Sequence, residues 1–186
     1  MNFKEHSELI GQHAFLGASK YHWINYTPEK LVDSYSKFLA IQRGTELHAL
    51  ACECIKQRVK LPKSKKAINQ YVNDCIGFRM KPEQSLYYSE NAFGTADAIS
   101  FKNNILRIFD LKTGISPVSI HQLEVYAALF CLEYSVNPNE IEVELRIYQN
   151  DSIFIAVPSG EFLSEIMNKI VIFDKEIDKI KMEDTL

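Results

Sequence analysis

This sequence has no long apolar run. The longest, Val125 to Leu132, spans eight residues, well short of the roughly 20 that a helix needs to cross a bilayer. The first residues, Asn2 to Glu8, are mostly polar. No secretory leader and no membrane partner are therefore expected, and the cytoplasm is the expected location. Glycine is scarce, at seven of 186 residues. With no internal repeat and no low-complexity segment, no long flexible linker is expected either. A G-x-x-x-x-G-K loop is missing, which excludes an ATP site of that type. Only four cysteines are present, and none follows Cys131. Cys52 and Cys54 lie two apart on an expected helix, so they point in different directions and suit neither a disulfide nor a zinc site. Cys75 and Cys131 lie alone in apolar stretches and read as buried free thiols. A basic surplus is missing too: the net charge is −3, whereas a protein that grips many phosphates usually carries an excess of Lys and Arg. The charge is uneven, however. Lys56, Arg58, Lys60, Lys63, Lys65 and Lys66 form a stretch with no acid, which is either an edge that faces nucleic acid or a solvated loop.

What is present reads as one domain over residues 1–186, with an N-terminal helical region to about residue 83. The composition is 46% hydrophobic and 24% charged, ordinary for a globular chain long enough to bury a core. Thr27 and Pro28 form an N-cap and first-turn signal for a helix through about residue 38. A second helix is expected from about 44 to 58, and a third, capped by Ser64, through about 79. Strands are expected near 85–91, 94–101 and 105–112. Ser116-Pro117 opens a further helix through about 134. Ile141, Val143, Leu145 and Ile147 alternate with polar residues, as a half-buried strand requires. A turn at Asp151, a strand at 153–157 and a helix at about 160–181 complete the chain. The expected class is α/β, a central mixed β-sheet flanked by helices on both faces.

Two short runs carry the chemistry: Gly94-Thr95-Ala96-Asp97-Ala98-Ile99 and Ile108-Phe109-Asp110-Leu111-Lys112-Thr113-Gly114. The turn between them, Lys102-Asn103-Asn104, holds paired asparagines that tolerate the positive φ of a tight hairpin. With Asn103 and Asn104 as the loop, Phe101 faces Leu106, Ile99 faces Ile108 and Asp97 faces Asp110. Alternation puts Lys112 on that same face. Two carboxylates opposed across a ladder repel, and a divalent cation between them reverses the sign. Hard oxygen ligands with room for water and phosphate suit Mg²⁺ or Mn²⁺. With a lysine beside them to position water, this is a plan for hydrolysing a phosphodiester. The plainer alternatives are strand-end acids that solvate an edge and a lysine that simply pairs with Asp110. The order Asp110-Leu111-Lys112-Thr113-Gly114 is also close to the loop of phosphoryl-aspartate pumps, but the inserted Leu111 breaks the spacing that loop requires.

The D…D-x-K pattern in a strand-turn-strand setting resembles the PD-(D/E)xK nuclease superfamily. Gly44-Thr45-Glu46-Leu47-His48-Ala49 resembles the upstream G-x-x-x-H-A helix motif of its RecB-type exonuclease branch. Gln122-Leu123-Glu124-Val125-Tyr126-Ala127 resembles that branch's downstream Q-x-x-x-Y-A helix motif. The segment His13 to Ser19, followed by Trp23-Ile24-Asn25, is similar to phage and prophage nucleases of the branch. The likeness runs from about residue 13 to about 157, with four motifs in the family's order.

The resemblance implies a restriction-endonuclease-like core and a metal-dependent DNA exonuclease. One or two Mg²⁺ (or Mn²⁺) ions would sit on Asp97 and Asp110, with His48 reaching a metal from its helix and the Leu111 carbonyl as a further ligand. Lys112 would be the catalytic lysine. Gln122 and Tyr126 would line the site or contact the nucleic-acid backbone. DNA is the implied partner, with a phage recombination or replication protein and oligomerisation as further expectations. A structure-selective or junction-cutting endonuclease on the same core, and a non-catalytic DNA-binding module, remain alternatives. Some relatives hold an iron–sulfur cluster on one early and three late cysteines. Here Tyr26 stands at the early position and no late cysteine exists, so no such cluster is expected. Glu90 and Glu124 are further carboxylates close in sequence, and His121 is expected to be exposed.

Overall fold

A computed structural model describes residues 3–183. Packing divides the chain into two units, Met1–Thr45 and Glu46–Leu186. In the first, 3₁₀ turns at Ser7–Leu9 and Ala18–Asn25 precede a long helix, α1 (Pro28–Gln57), whose residues from Glu46 onward belong to the second. The Trp23 indole donates to the Gly17 carbonyl (3.1 Å), and the rings of Phe15, Tyr35 and Phe38 cluster. Thr27 caps α1 as expected, its Oγ1 accepting from the Lys30 amide at 3.2 Å. The two helices expected at 28–38 and 44–58 are one. Gly44 costs about 1 kcal/mol relative to alanine inside a helix, but with no proline near it the turns continue through. Helix α1 ends at Arg58, whose φ is +57, with the Val59 amide donating to the Cys54 carbonyl and the Arg58 amide to that of Ile55.

The second unit is α/β. Its sheet has the order β1 (Lys81–Ser89), β2 (Ala92–Lys102), β3 (Ile105–Leu111), β4 (Glu142–Gln149) and β5 (Ser152–Ala156). All neighbours are antiparallel except β3 and β4. That parallel pair needs a crossover, supplied by α3 (His121–Glu133). Asn103 and Asn104 have φ of +53 and +57, Asn150 and Asp151 +48 and +60. Both pairs form two-residue hairpin loops whose positive φ matches the strand twist.

Alternation on β3 and β4 sends side chains to two cores. Leu106, Ile108, Leu145 and Ile147 pack with α3 and the start of α4 (Gly160–Glu183). Phe109, Leu111 and Tyr148 pack with the last turns of α1 and with α2 (Ala67–Gly77). The helices thus cover both faces. The central strand β3 is buried on both sides, which explains its nearly continuous apolar run.

Two expected helices start late. Ser64 does not cap α2; its Oγ accepts from the Lys66 amide at 3.2 Å, and the helix opens at Ala67. Ser116-Pro117 does not open α3. Gln149 Nε2 donates to the carbonyls of Gly114 (2.6 Å) and Ser116 (2.9 Å), which keeps that segment out of a helix until His121. Among the described residues, no helix is long and apolar enough to cross a membrane.

Candidate functional site

The β2–β3 ladder has the register read from the sequence, with Phe101 opposite Leu106 and Ile99 opposite Ile108. Its last pair is Ala98 with Phe109, one step short of the two acids. There the Leu111 amide donates to Asp97 Oδ2 (3.2 Å). Strand β2 also changes phase at this point: Ala96 packs into the α3 core and Ala98 into the α1–α2 core, although simple alternation would put both on one side. On β1, Glu83 lies between the partners of those two alanines with φ +53. The irregularity takes Asp97 out of regular pairing and brings its carboxylate to the end of β3.

The remaining residues reach this point from α1, from the end of β3 and from α3. His48, on α1 within the second unit, places Nδ1 3.3 Å from Asp97 Oδ2. Lys112, just past β3, donates from Nζ to Asp110 Oδ1 (3.0 Å) and to Gln122 Oε1 (3.0 Å). Gln122 Nε2 in turn donates to the Tyr126 hydroxyl (3.1 Å), as two residues four apart on α3 can. The Tyr126 ring fits because residue 94 is glycine: a Cβ there would lie 2.8 Å from Tyr126 Cε1.

Asp97, Asp110, Lys112, His48, Gln122 and Tyr126 therefore converge, with the Leu111 main chain between the acids. Glu124 is buried and accepts from His121 Nδ1 at 2.6 Å, which occupies it elsewhere; His121 is exposed. Glu90 is exposed, in the β1–β2 turn. All four cysteines are free thiols; Cys54, Cys75 and Cys131 are buried and Cys52 half-buried. The sequence reading missed Gln149, which is buried and holds the loop directly after Lys112. Its signal was there: it is a polar residue two after Ile147, where the apolar alternation of β4 calls for another hydrophobe.

The electrostatics centre on Asp110. It is 3% exposed, and its Oδ2 is buried with no hydrogen-bond partner among the described residues. Burial, and then the charge of Asp97, hold its carboxyl above the ordinary range against the opposing pull of Lys112. His48 is also pushed up, because its hydrogen bond to Asp97 outweighs its burial.

Among the described residues, no group of three or more His, Cys, Asp and Glu side chains is placed to hold a metal ion by itself. The residues fit a hard divalent cation of a less demanding kind. Mg²⁺ is commonly held by one or two carboxylates, with water and substrate oxygens completing the shell. An unpartnered buried carboxylate oxygen with raised proton affinity, next to a second carboxylate, is the electrostatic debt that such a cation cancels. Models of known protein families and curated proteins were both compared with this chain, and neither yields a match.

Proposed function

We propose that this chain is a metal-dependent deoxyribonuclease of the PD-(D/E)xK kind, an exonuclease of the RecB-type branch acting on DNA in the cytoplasm. The observation that carries the reading is Asp110. It is a buried carboxylate with one oxygen on Lys112 and the other unpartnered, beside Asp97 and at the end of β3. Asp97 and Asp110 would hold Mg²⁺ or Mn²⁺, with His48 oriented by Asp97 at the rim. When bound, the cation would lower the proton affinity of water and offset charge on the phosphate.

The chain's own residues do the positioning. Two of the three Lys112 N–H donors are committed to Asp110 and Gln122, which fixes the amine and leaves one donor for water or a phosphate oxygen. A water so held is aimed at phosphorus. Its oxygen forms the new P–O bond, the bond from phosphorus to the sugar oxygen breaks, the proton shed by water passes to solvent, and the departing sugar oxygen takes up a proton from solvent to become a hydroxyl. Tyr126 keeps Gln122 in place, so the amine is positioned from α3 as well as from β3.

End-labelled linear DNA and closed circular DNA, incubated with Mg²⁺, Mn²⁺ or EDTA, test this. The expected outcome is release of mononucleotides from linear DNA with either metal, no cutting of circles and none in EDTA. Lys112→Ala should be slower by about 10²–10⁴-fold, the range for a group that handles the attacking water. Cutting of circles or junctions would assign an endonuclease instead. If neither metal supports cleavage, and Asp110→Ala binds DNA as the wild type does, the chain is a non-catalytic binding module.

A further inference from the structure

A surface pocket of about 400 Å³, lined by none of the residues of that site, lies where the end of α2, the start of β1, the end of β2 and the second half of α3 meet. Arg79, Lys81 and Lys102 line it, and among the described residues no carboxylate does. None of the three takes part in an ion pair among the described residues. Three exposed cations around one concavity, with no acid among the lining residues, favour an anion there.

The apolar wall is aromatic. Phe101 and Phe130 have ring centroids 5.2 Å apart, and Phe130 and Tyr134 4.9 Å. Phe130 is buried, while Phe101 and Tyr134 are 43% and 52% exposed. The cluster therefore offers ring surface to solvent in the same pocket that the cations line. A ligand that suits both features is planar on one side and anionic on the other. The volume falls within the usual range of small-molecule sites, about 300–1,000 Å³.

We propose that this pocket binds a nucleotide, with its base against Phe101 and Tyr134 and its phosphate among Arg79, Lys81 and Lys102. Helix α3 joins this place to the site described above, since Gln122, Tyr126, Phe130 and Tyr134 recur every four residues. At 1.5 Å per residue, the pocket rings lie roughly 12–18 Å along the helix from Gln122. That separation suits a strand engaged at both places, and a free mononucleotide has the same chemistry.

Arg79 makes a clean test. It sits at φ +55 just past α2, the Met80 amide donating to the Cys75 carbonyl and the Arg79 amide to that of Ile76. Glycine is the usual residue at this point of a helix end, so Arg79→Gly deletes a cation while suiting the backbone better. Binding of a fluorescent oligothymidylate would be followed by anisotropy in EDTA, where no cleavage occurs, for wild type, Arg79→Gly, Lys102→Glu and Phe101→Ala. Arg79→Gly and Lys102→Glu should each weaken binding on the order of tenfold and lower its salt dependence by about one ion per lost cation. Phe101→Ala should weaken it with the salt dependence unchanged.

Displacement by dAMP would assign a free nucleotide, and displacement by unlabelled oligonucleotide alone a strand. Equal affinity in all four proteins, or displacement by inorganic phosphate as effective as by dAMP, would overturn the proposal. Because the assay needs no metal and no cleavage, a chain that never cuts DNA but loses affinity in these variants keeps the pocket and discards the nuclease reading. The converse result does the opposite.

Discussion

Gly94 has no side chain, and Tyr126 uses the room. A methyl group there would meet the ring at 2.8 Å, too close without movement of the helix or the ring. Gly94→Ala should cost about 1–3 kcal/mol, the usual range for overpacking, in urea unfolding. It should also cut the nuclease rate, because a displaced Tyr126 releases Gln122 from Lys112; unchanged cleavage would mean that the Tyr126–Gln122 bond positions nothing. Cys131 gives a prediction independent of the site. Burial pushes its thiol up to about 11, above the usual 8.5 or so of an unfolded cysteine. Between those values the unfolded chain binds fewer protons than the folded one, so this group's contribution to stability is intact at neutral pH and declines as pH rises from about 8.5 toward 11. Cys131→Ala should show a shallower loss of stability over that interval in denaturant titrations; a parallel loss would contradict the assignment. Residue types were the most legible level of the sequence. D…D-x-K and the i, i+4 pair Gln122 and Tyr126 announce themselves by spacing. The phase change at Asp97 does not, because it depends on the left-handed φ of Glu83 on a neighbouring strand, and nothing about a glutamate signals that conformation.

Elements were legible where local chemistry decides them. The Asn103-Asn104 loop and the register it sets followed from two adjacent residues that tolerate positive φ, and strand alternation then assigned β3 and β4 their faces. Helix boundaries were less legible, because partners far along the chain set them. Gln149 on β4 holds Gly114 and Ser116 extended and delays α3. The C-terminal ends of α1, α2 and α3 are unusual in carrying Arg58, Arg79 and Ser135 at φ of +57, +55 and +54, where glycine avoids a steric cost of about 1–2 kcal/mol. Arg58→Gly should therefore raise the stability of the protein by roughly 0.5–1 kcal/mol, after allowance for the entropy glycine loses on folding. Urea unfolding checks it, and a loss of stability would mean that the Arg58 side chain makes a contribution larger than its backbone strain.

The molecule as a whole divides inside a continuous helix, between Thr45 and Glu46, where no Pro- or Gly-rich linker exists for a reader of the sequence to find. Every residue of the candidate site belongs to the second unit, so occupancy of the site should be felt as stability of that fold. A ligand that binds only the folded state stabilises it by mass action, by about 2.7 kcal/mol at a hundredfold excess over its Kd. For a chain of this size, each kcal/mol raises Tm by about 2–4 °C, so saturating Mn²⁺ should raise it by roughly 5–10 °C over EDTA. Asp110→Asn should lose most of that increment, because it removes the charge of the carboxylate whose second oxygen has no partner. Lys112→Ala should keep it, because the amine is no ligand and competes with the cation for Asp110. An equal shift in all three proteins would place the cation elsewhere, and no shift in the wild type would remove the metal from the mechanism. The comparison separates binding from turnover, since a cation can bind at Asp110 in a variant whose water is no longer aimed.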